Sequence, residues 1–204
     1  MQVHHAALGS FEANCFYFQL GGHGYLVDPG DISVKNYFDK WGAVDFVLLT
    51  HGHVDHVLGV AEVKKRFPSC RVVLPRPDLA WYEKSELQAS MFGLRYVPVP
   101  APDVLLDAPC VFEGVEVLAT PGHTPGGVCY HLQEAGVLFS GDTLFAGGVG
   151  RTDFPGGSWT QLENSIRDTI YKLAPSTIVY AGHGPDTTVL EEIRHNPFVP
   201  GRRP

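Results

Sequence analysis

Short apolar runs, most of them ended by Gly, Pro or polar residues, alternate along this chain with segments whose apolar residues recur at helical spacing. Runs of the first kind are typical of buried strands, and segments of the second kind are typical of amphipathic helices. The pattern predicts strands at 3–8, 15–20, 25–28, 44–50, 71–74, 115–120, 128–132, 137–140 and 177–181. It predicts helices at 32–41, 57–67, 78–90, 158–173 and near 187–195, with Ser158 as the N-cap of the fourth.

This mixture predicts an α/β (α+β) fold in which helices cover the outer faces of sheets. The chain has 204 residues, of which 44% are hydrophobic, so we expect one compact domain over 1–204. The proline-rich stretch 97–109 predicts an extended connection, and the Gly-rich stretch 141–158 predicts a long loop of the kind that is often functional. Candidate ligands occur on both sides of 97–109, so we interpret that stretch as a crossover within one domain.

Charge and cysteine usage exclude several classes of protein. The net charge is −7, and the basic run at 64–66 lies at the end of a predicted helix, so no nucleic-acid partner is expected. The N-terminus lacks the basic and apolar parts of a signal peptide, and no apolar run is long enough to span a bilayer. We therefore expect a cytoplasmic protein without a membrane partner, whose four separated cysteines are reduced thiols in or near the core.

Candidate chemistry is concentrated in residues 50–56, Thr-His-Gly-His-Val-Asp-His, which follow a predicted strand. Three further candidates also follow strand-like runs and lie far along the chain. Together the candidate metal ligands are His51, His53, Asp55, His56, His123, Asp142 and His183. Four strands that each deliver imidazole or carboxylate at their carboxyl ends predict one metal site assembled from the whole fold.

The residue types indicate which metals to expect. Neutral imidazole and carboxylate suit borderline divalent ions such as Zn²⁺, Fe²⁺ or Mn²⁺. Seven donors are too many for one tetrahedral ion and about right for two ions that share a carboxylate. In an extended or loop backbone, residues two apart point the same way, so His51 and His53 can bind the same ion. Asp55 and His56 are out of phase with them and can turn toward a neighbouring ion.

Other residues admit two interpretations each. Asp28, in Asp-Pro-Gly, is either a turn former or a partner for the ligand histidines, and Thr50 is a second candidate for that role. Arg151 either binds a substrate carboxylate or pairs with Asp153. The remaining histidines have no partners at ligand spacing and are expected to be surface or packed residues: His4, His5, His23, His131 and His195.

The set THGHVDH, GH, GD and GH over residues 50–183, with Asp-Pro-Gly at 28–30, resembles the metallo-β-lactamase superfamily. The resemblance implies a four-layer αββα sandwich of two mixed β-sheets flanked by helices, with the metals at one edge. It also implies two ligand sets that share Asp142. The first metal would be held by His51, His53, His123 and Asp142, and the second by Asp55, His56, Asp142 and His183.

Within the superfamily, the chain is similar to the short, single-domain glyoxalase II-like (hydroxyacylglutathione hydrolase-like) proteins of bacteria. The bridging Asp142 is absent from true metallo-β-lactamases, so β-lactam hydrolysis is not expected, and the tail GHGPDTT…HNPF is similar to that of the short hydrolases. The C-terminal helical domain that helps long glyoxalase II enzymes to bind glutathione is not expected here. The resemblance implies cleavage of a small, glutathione-derived thioester such as S-lactoylglutathione. The nucleophile would be a metal-bridging hydroxide oriented by Asp55, with zinc as the first choice of metal.

A second branch shares one local motif. Gly-Arg-Thr-Asp-Phe at 150–154 also occurs in persulfide dioxygenases, oxidoreductases that act on glutathione persulfide. There a single iron would use His51, His123 and Asp142. The context of His183, Ala-Gly-His-Gly-Pro, favours the hydrolase.

Overall fold

The computed structural model describes residues 1–201. The chain divides into two compact units, Met1–Leu106 and Asp107–Pro204, and each is described by itself. Whether they form the single domain predicted from the sequence stays a prediction.

The first unit contains a six-stranded mixed sheet in which the strands follow one another in chain order. β1 to β3 are antiparallel, and β3 to β6 are parallel. The strands are β1 (Val3–Leu8), β2 (Ala13–Leu20), β3 (His23–Val27), β4 (Phe46–Leu48), β5 (Arg71–Pro75) and β6 (Val104–Leu106). The predicted extended connection therefore contains a strand at its end, which adds to β5.

Helical segments connect the parallel strands of this unit. The α-helices are α1 (Phe38–Trp41), α2 (Val54–Val57), α3 (Val60–Arg66), α4 (Leu79–Glu83) and α5 (Ser85–Met91), and Ile32–Tyr37 and Arg76–Asp78 are 3₁₀-helical. The predicted helix at 32–41 is therefore mostly 3₁₀, and the one at 78–90 is interrupted at Lys84. Strand β4 is buried along its whole length, as expected of an apolar run in a parallel sheet.

The second unit contains another six-stranded mixed sheet, in the order β14-β13-β10-β9-β8-β7. Only β10 and β13 are parallel neighbours. Its strands are β7 (Cys110–Phe112), β8 (Val115–Ala119), β9 (Val128–Leu132), β10 (Val137–Gly141), β13 (Ile178–Ala181) and β14 (Thr187–Thr188). The predicted long loop contains a two-stranded hairpin of β11 (Leu144–Phe145) and β12 (Gly148–Val149).

The long helical segment of the second unit begins at Ser158, the capping residue that the sequence indicates. Ser158 accepts a hydrogen bond from the Gln161 amide at the start of α6 (Trp159–Asn164). The predicted helix 158–173 continues as π-helix over Ser165–Thr169 and 3₁₀-helix over Ile170–Lys172. Its apolar residues pack in a core with the sheet and with α7 (Val189–His195). Within residues 1–201, no helix has the length and apolar character needed to cross a membrane.

Candidate metal centre

In the first unit, the candidate ligands lie on residues 51–56, here called the ligand loop. The loop leaves the carboxyl end of β4, and α2 begins at Val54. His51, His53 and His56 are buried, and Asp55 is half-buried. The His51 ring centroid lies 4.8 Å from that of His53 and 4.2 Å from that of His56. The rings of the three candidate histidines of this segment therefore lie close to one another.

Asp28 is linked by hydrogen bonds to two of these histidines, directly to His56 and through Thr50 to His51. Its buried carboxylate accepts hydrogen bonds from the Thr50 amide at 2.8 Å and the Thr50 hydroxyl at 2.7 Å. It also accepts from His56 Nδ1 at 3.0 Å. Asp28 has a φ of +48°, a conformation that aspartate tolerates better than most residues. Asp28 is therefore a turn residue whose carboxylate contacts the ligand loop, and its role beside metal ligands stays a prediction.

These bonds fix which nitrogen of each ring carries the proton. The Thr50 hydroxyl has one hydrogen and donates it to Asp28, so the 3.0 Å contact with His51 Nδ1 requires that His51 be the donor. His56 Nδ1 faces a carboxylate and must also donate. In a neutral ring, Nε2 then carries the lone pair. This is the arrangement found in metal-binding histidines, whose second nitrogen donates to an oxygen.

The second unit brings together the other three predicted ligands. Asp142 follows β10, and its Oδ2 atom lies 3.6 Å from His123 Nε2 and 3.7 Å from His183 Nε2. His123 Nδ1 donates to the Arg151 carbonyl at 2.7 Å, which again leaves Nε2 as the lone-pair nitrogen of the neutral ring. A carboxylate flanked by two imidazoles is the arrangement that a shared metal ligand requires.

Close backbone packing holds Asp142 in place. Gly150 lies so near that a Cβ added to it would fall 1.9 Å from the Asp142 carbonyl oxygen. Only glycine fits at this position without backbone movement.

Arg151 makes the internal pair that was one of its two predicted roles. Its guanidinium donates two hydrogen bonds of 2.6 Å to Asp153 and lies 4.1 Å from the centroid of the Phe154 ring. The hydrogen bonds from Arg151 lower the pKa of Asp153 to about 2. Both side chains are exposed, and the pair with Asp153 uses Nε and Nη2 of the guanidinium.

Two of the other histidines make hydrogen bonds of their own. The exposed His5 bonds to Asn14, and the buried His131 bonds to Glu116, so one is a surface residue and the other a packed residue. All four cysteines are free thiols, of which three are buried. Burial raises the pKa of Cys70 to about 12 and that of Cys129 to about 11, so both thiols are protonated at neutral pH.

The donors described here fit a divalent metal. They are imidazole nitrogens and carboxylate oxygens, and three of the imidazoles have Nδ1 bonded to an oxygen. Such donors suit Zn²⁺, Fe²⁺ or Mn²⁺.

Sequence reasoning missed two polar residues that contact the ligand loop. Asp78 and Gln88 are buried and bond to the backbone of Gly52 and Val54. No local motif indicates them, because each is a single polar residue in or beside a segment predicted from its apolar spacing.

A family model described as the metallo-beta-lactamase superfamily matches residues 8–183, and the chain belongs to this superfamily. The probable metallo-hydrolase YqgX of Bacillus subtilis is 34% identical over 203 residues, with 95% of both chains covered. Hydroxyacylglutathione hydrolase GloC of Haemophilus influenzae is 34% identical over 209 residues, with 98% of both chains covered. These relatives support an enzyme of the metallo-hydrolase class.

Solved structures agree with this assignment. TTHA1623 in a di-iron-bound form is similar with a TM-score of 0.90 and 36% identity, covering 96% of this chain and 99% of that one. BLEG-1, described as a B3 metallo-beta-lactamase, is similar with a TM-score of 0.86 and 34% identity, covering 97% and 99%. The predicted fold class, a metallo-β-lactamase fold with two mixed sheets and flanking helices, is confirmed, as is the predicted family.

Proposed function

We propose that this chain is a metal-dependent hydrolase that cleaves a thioester such as S-lactoylglutathione. The observation that carries the metal part is that His51, His56 and His123 each donate Nδ1–H to an oxygen and keep Nε2 as the neutral donor. The substrate part is supported by the similarity to hydroxyacylglutathione hydrolase GloC over nearly the whole length of both chains.

The ligand loop and the group around Asp142 would together hold two divalent ions, as the family resemblance implies. One set would be His51, His53, His123 and Asp142, and the other Asp55, His56, Asp142 and His183. When bound, such ions supply Lewis acidity to a water molecule and to a carbonyl oxygen. Zinc is the first choice, and the di-iron form of TTHA1623 supports iron as an alternative. Manganese would also suit these donors.

The chain's own residues would hold and orient the reactants. Asp55 is half-buried, with Oδ2 3.8 Å from His56 Nε2, and is proposed to orient the attacking water. Asp28 and Thr50 would keep the rings of His51 and His56 in their binding tautomers. The leaving group would be a thiolate, and because thiols have pKa values near 8.5, departure needs no dedicated general acid.

The test is thiol release from a panel of thioesters that includes S-lactoylglutathione and simple acyl-thiols. We expect release by the metal-loaded protein, loss of release after chelation, and recovery with Zn²⁺ or Fe²⁺. Substitution of His123 by alanine should abolish release, whereas His195→Ala, which changes an exposed histidine, is the matched control. A protein with full metal content that releases no thiol from any member of the panel would contradict the proposal. Hydrolysis of a chromogenic cephalosporin instead would assign it to the activity for which BLEG-1 is named.

The second candidate is a mononuclear iron oxidoreductase of the persulfide dioxygenase type. The observation that favours it is the segment Gly150-Arg151-Thr152-Asp153-Phe154, whose Arg151 carbonyl contacts His123. Metal counting separates the two candidates, because the hydrolase would bind two ions per chain and the oxygenase one. Oxygen consumption with glutathione persulfide, at one iron per chain, would establish the second candidate.

A further inference from the structure

The N–H and the carbonyl of Gly52 both form hydrogen bonds with side chains of one segment, Arg76–Met91, which contains α4 and α5. Asp78 Oδ2 accepts the Gly52 N–H at 2.9 Å, and Gln88 Nε2 donates to the Gly52 carbonyl at 3.4 Å. Gly52 separates His51 from His53. The orientation of its two peptide groups therefore decides whether those two imidazoles can point toward one ion.

Gln88 also contacts the start of α2. Its amide oxygen accepts the Val54 N–H at 3.1 Å, the first donor of the helix that carries Asp55 and His56. Its amide nitrogen donates to the Trp81 carbonyl at 2.7 Å, which fixes which end of the amide faces Val54. One side chain thus bonds to the backbone in both halves of the ligand loop.

The contact between the loop and this segment is tight at Gly52. A Cβ on Gly52 would lie 2.7 Å from the Asp78 carbonyl oxygen and 2.8 Å from Trp81 Cβ. The Trp81 ring meets the His53 ring edge-on, with the centroids 4.7 Å apart. Asp78 is 0% and Gln88 5% exposed, so water does not replace their bonds to the loop.

We propose that Asp78 and Gln88 are positioning residues that set the metal affinity of the ligand loop. They hold the backbone in its binding conformation before a metal binds. The entropy lost in ordering the loop therefore does not reduce the free energy of metal binding. The inference rests on the metal-binding part of the proposed function and is independent of the substrate.

The first test replaces Gln88 by methionine, which has a similar length and cannot bond to the loop. Zn²⁺ affinity is measured by competition with a chromophoric chelator, and the melting temperature of the metal-free protein is measured in parallel. We expect about 10–100-fold weaker binding, the usual effect of losing a group that orients metal ligands. Glu86→Met, on the exposed face of the same helix, should bind as the wild type does. Val63→Ala, a core change in α3, should lower the melting temperature and leave the affinity unchanged.

The second test compares two changes at Asp78. Asp78→Ala removes the acceptor for the Gly52 N–H, whereas Asp78→Asn retains an oxygen that can accept it. We expect the alanine variant to lose affinity about 10–100-fold and the asparagine variant to recover most of it. Variants of Asp78 and Gln88 that melt earlier but bind Zn²⁺ with wild-type affinity would overturn the proposal, because both residues would then serve folding alone.

A measurement on the wild type keeps the proposal falsifiable if the variants do not fold. The amides of Gly52 and Val54 should be protected from hydrogen exchange in the metal-free protein, since their acceptors come from Asp78 and Gln88 rather than from the metal. Exchange at the rate of an unstructured peptide would overturn it. Metal binding without thioester cleavage would refute the proposed substrate and leave this inference standing, whereas a wild-type chain that binds no divalent metal would refute both.

Discussion

Asp28, Thr50, His51 and His56 form a hydrogen-bond network next to the ligand loop. The Asp28→Asn substitution replaces one acceptor atom of this network by a donor and leaves the size of the side chain almost unchanged. Oδ2 accepts from the Thr50 hydroxyl and from His56 Nδ1, while Oδ1 accepts the Thr50 amide. Asparagine has one oxygen and one amide nitrogen, so a donor must face a donor on one side whichever way the amide is turned. The orientation that keeps the bond to the Thr50 amide places the new N–H groups against the hydroxyl and His56.

The expected consequence is a change of tautomer in two rings. The Thr50 hydroxyl would accept from the new amide and turn its own hydrogen toward His51 Nδ1, which lies 3.0 Å away. His56 Nδ1 would also have to accept a hydrogen bond. In both neutral rings the proton then moves to Nε2, the nitrogen that would otherwise bind the proposed metal.

The loss of metal affinity follows from these two rings. Removing one orienting partner typically weakens binding by about 10–100-fold, so two independent partners would weaken it by about 10²–10⁴-fold. At about 1.4 kcal/mol for each factor of ten, this corresponds to about 3–6 kcal/mol. Because both effects pass through one residue, they are coupled and not additive, and we expect about 10²–10³-fold.

Chelator competition measures the affinity of the Asp28→Asn variant, and ¹⁵N NMR of the metal-free protein reports the protonated nitrogen of each ring. Asp103→Asn is the matched control, since Asp103 accepts from the Val72 amide and Lys64 without contacting a candidate ligand. The reasoning is refuted if the variant binds metal within about threefold of the wild type, or if His51 and His56 keep their protons on Nδ1.

Two further predictions concern the second unit. Arg151→Met should return the Asp153 pKa from about 2 toward its ordinary value of 3.8, as followed by carboxyl NMR titration; an unchanged pKa would contradict the pairing. Because the folded-state pKa is lowered, this pair contributes stability above pH 3.8 that is lost as the pH falls through about 2. Glu192→Ala should lower the free energy of unfolding by about 3 kcal/mol, because three donors, among them the Gly147 amide, lose a buried acceptor. Denaturant titration measures this against Glu191→Ala, an exposed neighbour, and equal stability of the two variants would contradict it.

The sequence was most informative where strands end. β4 ends at Leu48, β8 at Ala119, β10 at Gly141 and β13 at Ala181, so the first predicted ligand of each group follows its strand by one to four residues. These positions are predictable because a buried strand needs a continuous apolar run, and the first polar residues after it lie at the edge of the sheet. The residue type also predicted a helix start correctly at Ser158, whose hydroxyl caps the helix that the apolar spacing predicts.

Contacts between distant segments were not predictable in the same way. Gln88 contacts Gly52 only because β4 and β5 pair in parallel, so the segment after β5 reaches the loop after β4. The strand β6 was not predicted either, because prolines in the stretch before it conceal a run of three residues that pairs only with β5. Nor does apolar periodicity reveal where a continuous helix changes to π or 3₁₀ geometry, as it does after Asn164.

The network next to the ligand loop also bears on the choice between the two proposed reactions. A mononuclear iron site of the oxygenase type would use His51, His123 and Asp142, and would gain nothing from an oriented His56. In this chain the buried carboxylate of Asp28 accepts a hydrogen bond from His56 Nδ1. This bond leaves the Nε2 atom of the ring available to a metal, although burial of a charged carboxylate costs free energy. The same carboxylate acts on His51 through Thr50. We infer that a residue which orients one histidine from each proposed ligand set would serve two ions, as the proposed hydrolase requires.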